Sequence, residues 1–493
     1  MSDDSLMGAS MVDVGAVKRK SVRGVVALAG RTGVMQAVAL GATFLLTVFL
    51  NPSDYGVFFV VSAVVNFLAY FSDIGLAAAL IQKKEEVERK DLVTTFTVQQ
   101  VLVGGLVILL LAITPLVRGF YNLSGAGVYL LWALAVSLVF SSLKTIPSVL
   151  LERRLDFGKL VIPQLLETVV FYGVAVFLAW QGRGVSSFTV AVLARGVVGV
   201  AAMYIISPWK VGWGWDRGTF KKLLRFGLPY QVNALLAMVK DDGMTVVLGG
   251  VVGATAMGYL GWAKKWAEAP LRFFMDQVVK VTFPAFSRLQ HDEKELSRAV
   301  EKSVFFVAFL VFPALVGLGF VARPLTEVIP KYEKWQPALV LLYLYMVNAG
   351  WAAVTTPLTN LLAAVGKIKV TFYLMIMWTG LTWMLMLPAA LRWGMVGVAG
   401  AAAVIGCSSI VAIVVVGRQV KFNLLNSVRA PVLASLLMGA VEYLLRQLLP
   451  TSFTGIVGMI IIGVLVYAAG VFLVEGESFI GDAKKVWTNF RGR

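Results

Sequence analysis

Long apolar runs separated by short polar ones set the rhythm of this chain. Gly455 to Val474 is an uncharged run of 20 residues and Val101 to Val117 one of 17. A helix rising about 1.5 Å per residue covers most or all of a hydrocarbon core about 30 Å thick in that length. The runs lack the short alternating segments of a membrane barrel, so helices are the expected spanning element. Applied along the chain, this length predicts fourteen spans near 24–50, 54–82, 92–117, 126–150, 160–180, 185–206, 227–250, 254–276, 303–322, 336–357, 370–391, 395–416, 430–445 and 455–474.

Composition agrees with this reading. The chain is 59% hydrophobic and 14% charged, with a mean hydropathy of +0.82, outside the balance of a soluble domain. The net charge of +17 is not spread evenly. With the N-terminus cytoplasmic, 30 of the 44 Lys and Arg fall in predicted inside segments, 7 in outside loops and 7 within spans, the asymmetry that orients helical membrane proteins. Both termini are therefore expected in the cytoplasm, and the charge is not read as nucleic-acid binding. The polar start "MSDDSLMGASMVDVGAVKRK" leads into a span too long for a cleavable signal. Cys407, the single cysteine, excludes an intramolecular disulfide, and His291, the single histidine, sits in a predicted loop. No cofactor, metal cluster, nucleotide loop or catalytic nucleophile is expected.

Residues 147–196 align with 357–406 at a constant offset of 210. Pro147 meets Pro357, Leu151 meets Leu361, Lys159 meets Lys369, Gly184 meets Gly394, Ala191 meets Ala401 and Gly196 meets Gly406. The chain then reads as an all-α polytopic membrane protein of two six-helix lobes, 24–206 and 227–417. A cytoplasmic N-terminal segment (1–23), a linker (207–226), two further helices (418–474) and a cytoplasmic tail (475–493) complete it. Lobes with an even number of spans insert the same way up and are related by a pseudo-two-fold along the membrane normal. A cleft between them could open alternately to each side.

The stretch "LNPSDYGVFFVVSAVVNFLAYFSDIGLAAALIQKKE" at 50–85, with "FGLP" at 226–229, "GATAMGY" at 253–259 and "FPAFSRLQHDEKEL" at 283–296, resembles the polysaccharide transporter family. These are the Wzx-type oligosaccharide-lipid flippases of the multidrug/oligosaccharidyl-lipid/polysaccharide exporter superfamily. The resemblance implies a two-lobed transporter of the bacterial inner membrane. Such a protein moves a polyprenyl-pyrophosphate-linked oligosaccharide from the cytoplasmic to the outer leaflet, and polysaccharide polymerase machinery is a possible partner. Typical members carry an acid five residues before the position of Gly249; here that position is Met244, and Asp241 lies three residues earlier on the same helical face.

Charges inside spans are the candidates for function. Lys240, Asp241 and Asp242 lie about 20–22 Å along a helix counted from Gly227. Facing lipid, each would cost about 2.5–3.5 kcal/mol, so they are expected to line a hydrated cleft, where they are candidates for coupling to Na⁺ or H⁺. A local Lys–Asp pair that only packs is the alternative. Arg31, with Gln36 beyond it, lies two turns inside the first span. Lys264, Glu268 and Arg272 share one helical face, as do Asn66, Tyr70 and Asp73, and Lys144 and Arg195 add two cations. Cations of this kind suit pyrophosphate, and Arg31 with Lys264 is expected to bracket it. Tyr70, Tyr259, Trp262 and Trp266 are candidates for stacking on sugars, or for an interfacial belt; Arg272 could instead reach the interface and Asp73 could cap a helix. Competing functions are a drug exporter or peptidoglycan-precursor flippase of the same superfamily, and a membrane polymerase or ligase. The last is disfavoured by short outer loops, the longest being "RPLTEVIPKYEKW" at 323–335.

Overall fold

The computed structural model describes residue 33 and residues 35–476, and these contain helices but no strand. Helix α1 (Met35–Phe49) is followed by α2 (Pro52–Ala69), which starts with proline in its first turn, where a backbone N–H would go unused, and with the Asp54 carboxylate accepting from the Asn51 N–H at 3.3 Å. Other starts are capped by side chains. Ser124 before α6 (Gly125–Leu143), Asp216 before α10 (Arg217–Met238), Asn423 before α16 (Leu424–Leu448) and Ser452 before α17 (Phe453–Glu475) each accept a first-turn N–H. Near a bilayer these caps satisfy donors that lipid cannot.

Among the described residues eleven helical stretches are long and apolar enough to cross a membrane, against fourteen predicted spans. The first predicted span is described only over Met35–Phe49. Two further pairs of spans are joined in continuous helical runs, α11 (Met244–Leu289) and α14 (Ile368–Cys407), which carry non-helical backbone at Gly253 (φ 79°, ψ 166°) and Gly394 (φ 59°, ψ −141°). Glycine adopts such angles without a Cβ penalty. The chain doubles back at both points. A straight helix would hold Lys240 and Lys264 about 36 Å apart, yet both line one small cavity, as do Thr382 and Ile405 from the two arms of α14.

The repeat seen in the residues recurs in the backbone. Gly184 and its counterpart Gly394 both have positive φ, at 53° and 59°. Leu151, Leu361, Ala191 and Ala401 are buried, and Lys159 and Lys369 are exposed.

In the first half of the chain α4 (Arg89–Ala112), α6, α8 (Phe157–Trp180) and α9 (Ser186–Ile206) pack together; in the second, α12 (Glu293–Val328) and α13 (Leu339–Ala364) pack with α11, α14, α16 and α17. The halves meet where α2 crosses α11. A Cβ added to Gly56 would lie 1.7 Å from the Ala254 carbonyl oxygen, and one on Gly258 1.9 Å from that of Pro52, so the two backbones touch, as small residues allow in membrane helices. A second tie joins α1 to the segment before α13. The Trp335 indole N–H donates to the Thr47 carbonyl at 2.7 Å and Lys334 Nζ to that of Val48 at 2.7 Å, supplying donors to carbonyls at a helix end. The Tyr332 hydroxyl is 3.1 Å from that of Thr47 and accepts the Trp262 N–H at 3.0 Å.

Candidate functional site

Two groups of intramembrane charges stand in two cavities. The first lies in the first half of the chain. Helix α6 ends at Leu143, and Lys144 sits in the break before α7 (Thr145–Arg153). Its Nζ is 2.6 Å from Glu167 Oε1, and Arg195 Nε of α9 is 3.5 Å from the other oxygen, Oε2. The carboxyl lies flat on α9, where a Cβ at Gly199 would meet Oε1 at 2.2 Å. Arg195 also stands over the Phe171 ring, 5.9 Å from its centroid, in cation–π contact. These three charges line a cleft of about 820 Å³ and an adjoining one of about 650 Å³. The exposed amide of Asn66 and the Asp73 carboxylate face the second space. Glu152 lines the larger cleft as well, so its charges balance in number, and Arg195, at 3.5 Å from Glu167 and half-exposed, is the cation open to an oxyanion.

The second group lies in the second half. Val239–Gly243, with sequence VKDDG, forms a widened π-helical turn between α10 and α11, a feature frequent at functional sites. It presents Lys240 and Asp241 to a cavity of about 160 Å³ that Lys264 and Glu268 enter from the returning arm, with Tyr345 and Asn348. Lys240 Nζ is 3.4 Å from Asp241, Lys264 Nζ is 3.9 Å from Glu268, and Arg272 donates to Glu268 at 2.8 and 3.0 Å. The four groups lining the cavity are charge-balanced. Asp242, half-buried, does not line it.

The expected site residues therefore divide. Lys144, Arg195 and Asn66 come together; Lys240, Asp241 and Lys264 come together elsewhere; Arg272 pairs with Glu268 outside the cavity. Arg31 lies outside the described residues. The Tyr70 hydroxyl donates to the Gln231 carbonyl, and Asp73 also accepts the Ala77 N–H at 3.2 Å, at the start of α3 (Leu76–Gln82). Among the aromatic candidates, Trp262 is buried and stacked on Trp335 at 5.5 Å, Tyr259 meets Trp335 edge-on at 6.0 Å and Trp266 meets Phe44 edge-on at 6.3 Å. These rings pack against the protein itself. Glu167 escaped the sequence reading, although it is the sole residue of the predicted span 160–180 that is charged at neutral pH.

The family described as polysaccharide biosynthesis protein matches residues 45–339, more than half of the chain. The succinoglycan biosynthesis transport protein ExoT of Rhizobium meliloti (strain 1021) is 26% identical over 330 residues, covering 66% of this chain and 65% of that protein. The teichuronic acid biosynthesis protein TuaB of Bacillus subtilis (strain 168) is 22% identical over 304 residues, covering 61% and 62%. The matches thus span less than two thirds of these relatives' own lengths. The lipopolysaccharide biosynthesis protein WzxC of Escherichia coli (strain K12) is 28% identical over 149 residues, 30% of each chain. Among solved structures, the lipid II flippase MurJ in an inward closed conformation superposes with a TM-score of 0.74 at 18% identity, over 91% of this chain and 98% of that one. An inward-facing multidrug resistance MATE family transporter gives 0.58 at 16%, over 78% and 94%. At these identities the likeness is one of fold. The chain belongs to the polysaccharide biosynthesis protein family and is a multi-pass membrane protein with the fold of these transporters.

Proposed function

We propose that this transporter moves a polyprenyl-pyrophosphate-linked oligosaccharide from the cytoplasmic to the outer leaflet of the bacterial inner membrane. Two six-helix lobes, 24–206 and 227–417, rock about their common cleft with both termini in the cytoplasm, driven by an ion gradient. The observation that carries the reading is the meeting of two cations, Lys144 and Arg195, on the single carboxylate of Glu167. In the larger cavity, which Glu152 also lines, Lys144 and Arg195 both bear on Glu167, whereas in the smaller Lys240 meets Asp241 and Lys264 meets Glu268. A diphosphate is drawn to Arg195, whose guanidinium stays half-exposed to the cleft beside Glu167. Asn66, on the adjoining wall, offers hydrogen bonds to the first sugars. The polymer in each relative's name, succinoglycan or teichuronic acid, supports a surface polysaccharide precursor as cargo.

Arg195→Ala is the direct test, because it removes a half-exposed cation and leaves Lys144 paired with Glu167. Loss of one charge-assisted contact should weaken binding of a polyprenyl-pyrophosphate oligosaccharide by about 2–3 kcal/mol, or roughly a hundredfold. Arg195→Lys should recover part of it, since an ammonium keeps the charge and loses the fork. Undiminished binding and polymer export by Arg195→Ala, at normal protein level, would remove this cleft from substrate recognition.

A further inference from the structure

Glu442 of α16 is 1% exposed, and neither carboxyl oxygen has a hydrogen-bond partner. It stands in the wall of an apolar cavity of about 700 Å³ bounded by α11, α12, α16 and α17, with Leu40 of α1. The niche is shaped for it by glycine. A Cβ on Gly463 of α17 would lie 2.4 Å from Glu442 Oε1, and one on Gly317 of α12 3.9 Å from it. Among the described residues no cation answers the carboxyl. Arg446, one turn on along α16, is exposed, and Arg323 of α12 is paired with Glu327 at 3.0 Å. Arg272 of α11 is paired with Glu268. The titratable group that α17 presents at this cavity, the Tyr467 hydroxyl, donates to the Phe309 carbonyl at 2.8 Å; Pro313 lacks the N–H that would otherwise take that carbonyl in α12.

An ionised carboxylate without a partner is strongly disfavoured in such surroundings. A metal cation is equally ill served, because Na⁺ or Ca²⁺ takes several oxygen ligands and the walls of this cavity are apolar. We infer that Glu442 is a proton-carrying site: neutral acid while α16 and α17 pack on α12 as seen here, and carboxylate when movement of α11 and α12 admits water to the cavity. On release the O–H bond breaks, its electron pair stays on the carboxyl oxygen and the proton passes to water; uptake is the reverse. The inference rests on the flippase reading and names its coupling ion as the proton. It also places the carrier on α16, apart from Lys240, Asp241 and Asp242.

The test uses the full chain in Na⁺-free proteoliposomes containing a polyprenyl-pyrophosphate oligosaccharide, with and without an imposed pH gradient. Wild type is expected to translocate faster with the gradient by roughly tenfold. Glu442→Gln, which copies the shape of the neutral acid and so keeps the fold, should lose that response, while Glu442→Asp should keep part of it. In infrared difference spectra the carboxylic-acid C=O band of the wild type should vanish in Glu442→Gln. A gradient response retained by Glu442→Gln, or a wild-type spectrum without that band, overturns the inference. If wild-type vesicles move no lipid-linked oligosaccharide under any condition, the flippase reading fails, and presence or absence of the band then decides whether Glu442 carries a proton.

Discussion

Lys144 Nζ and Glu167 Oε1 lie 2.6 Å apart, with only 16% and 10% of their side chains exposed. Removing one member of such a pair strands the other in an apolar wall, whereas removing both does not. Glu167→Ala should therefore lower unfolding stability by about 3 kcal/mol. Lys144→Ala combined with Glu167→Ala should cost less than the sum of the single changes. A double-mutant cycle by thermal unfolding in detergent measures the difference, and additive effects would mean that the contact contributes little.

The widened turn Val239–Gly243 carries one residue more than a regular helical turn. Deleting Asp242 should restore regular α geometry and rotate Lys240 and Asp241 by about 100° relative to α11. The charged groups would then leave the cavity they share with Lys264 and Glu268. Polymer export should fall to background at normal membrane level, while Asp242→Asn, which keeps the turn, should be far milder. Normal export by the deletion variant would show that the turn is dispensable.

Gly258→Ala places a methyl 1.9 Å from the Pro52 carbonyl oxygen, whereas the same change at Gly261 meets the Phe59 ring at 3.3 Å. A carbonyl fixed in a helix end cannot yield without separating α2 from α11; a ring can turn. The first substitution should destabilise by about 1–3 kcal/mol, the usual range of overpacking, and the second by well under that. Thermal unfolding of the two variants side by side distinguishes them.

The distribution of Lys and Arg predicts which loops face outward. In a Cys407→Ser background, cysteines replacing the exposed Ser124 and Thr451 should react with an impermeant thiol reagent in intact cells, and those replacing the exposed Glu86 and Asn426 should not. Labelling at Glu86→Cys would invert the assigned orientation.

Much of the fold was legible because lipid imposes a length on every crossing, and because Gly184 and Gly394 mark equivalent turns 210 residues apart. Intramembrane charges were legible for the same reason: Lys144, Arg195, Lys240 and Lys264 stand out against apolar neighbours. Their partners did not stand out. Glu167 reaches Lys144 across 23 residues, and that meeting depends on how α6, α8 and α9 pack, which no local pattern encodes. The widened turn left no signal either, since VKDDG differs from an ordinary helical stretch only in its hydrogen bonding. Tyr259 and Trp262 had the composition of a sugar platform, but their positions on α11 turn them toward Tyr332 and Trp335.

The tie between α1 and the segment before α13 has a consequence for the order of assembly. The hydroxyls of Thr47 and Tyr332 are 285 residues apart in the chain, and Trp335 and Lys334 supply donors to the terminal carbonyls of α1. During synthesis α1 enters the bilayer well before the residues that close its end emerge, 285 residues later in the chain. Until then those carbonyls must find water or headgroups. This helix is thus secured long after it is inserted, and a ribosome-bound chain truncated before Tyr332 should hold α1 less firmly than the finished protein does.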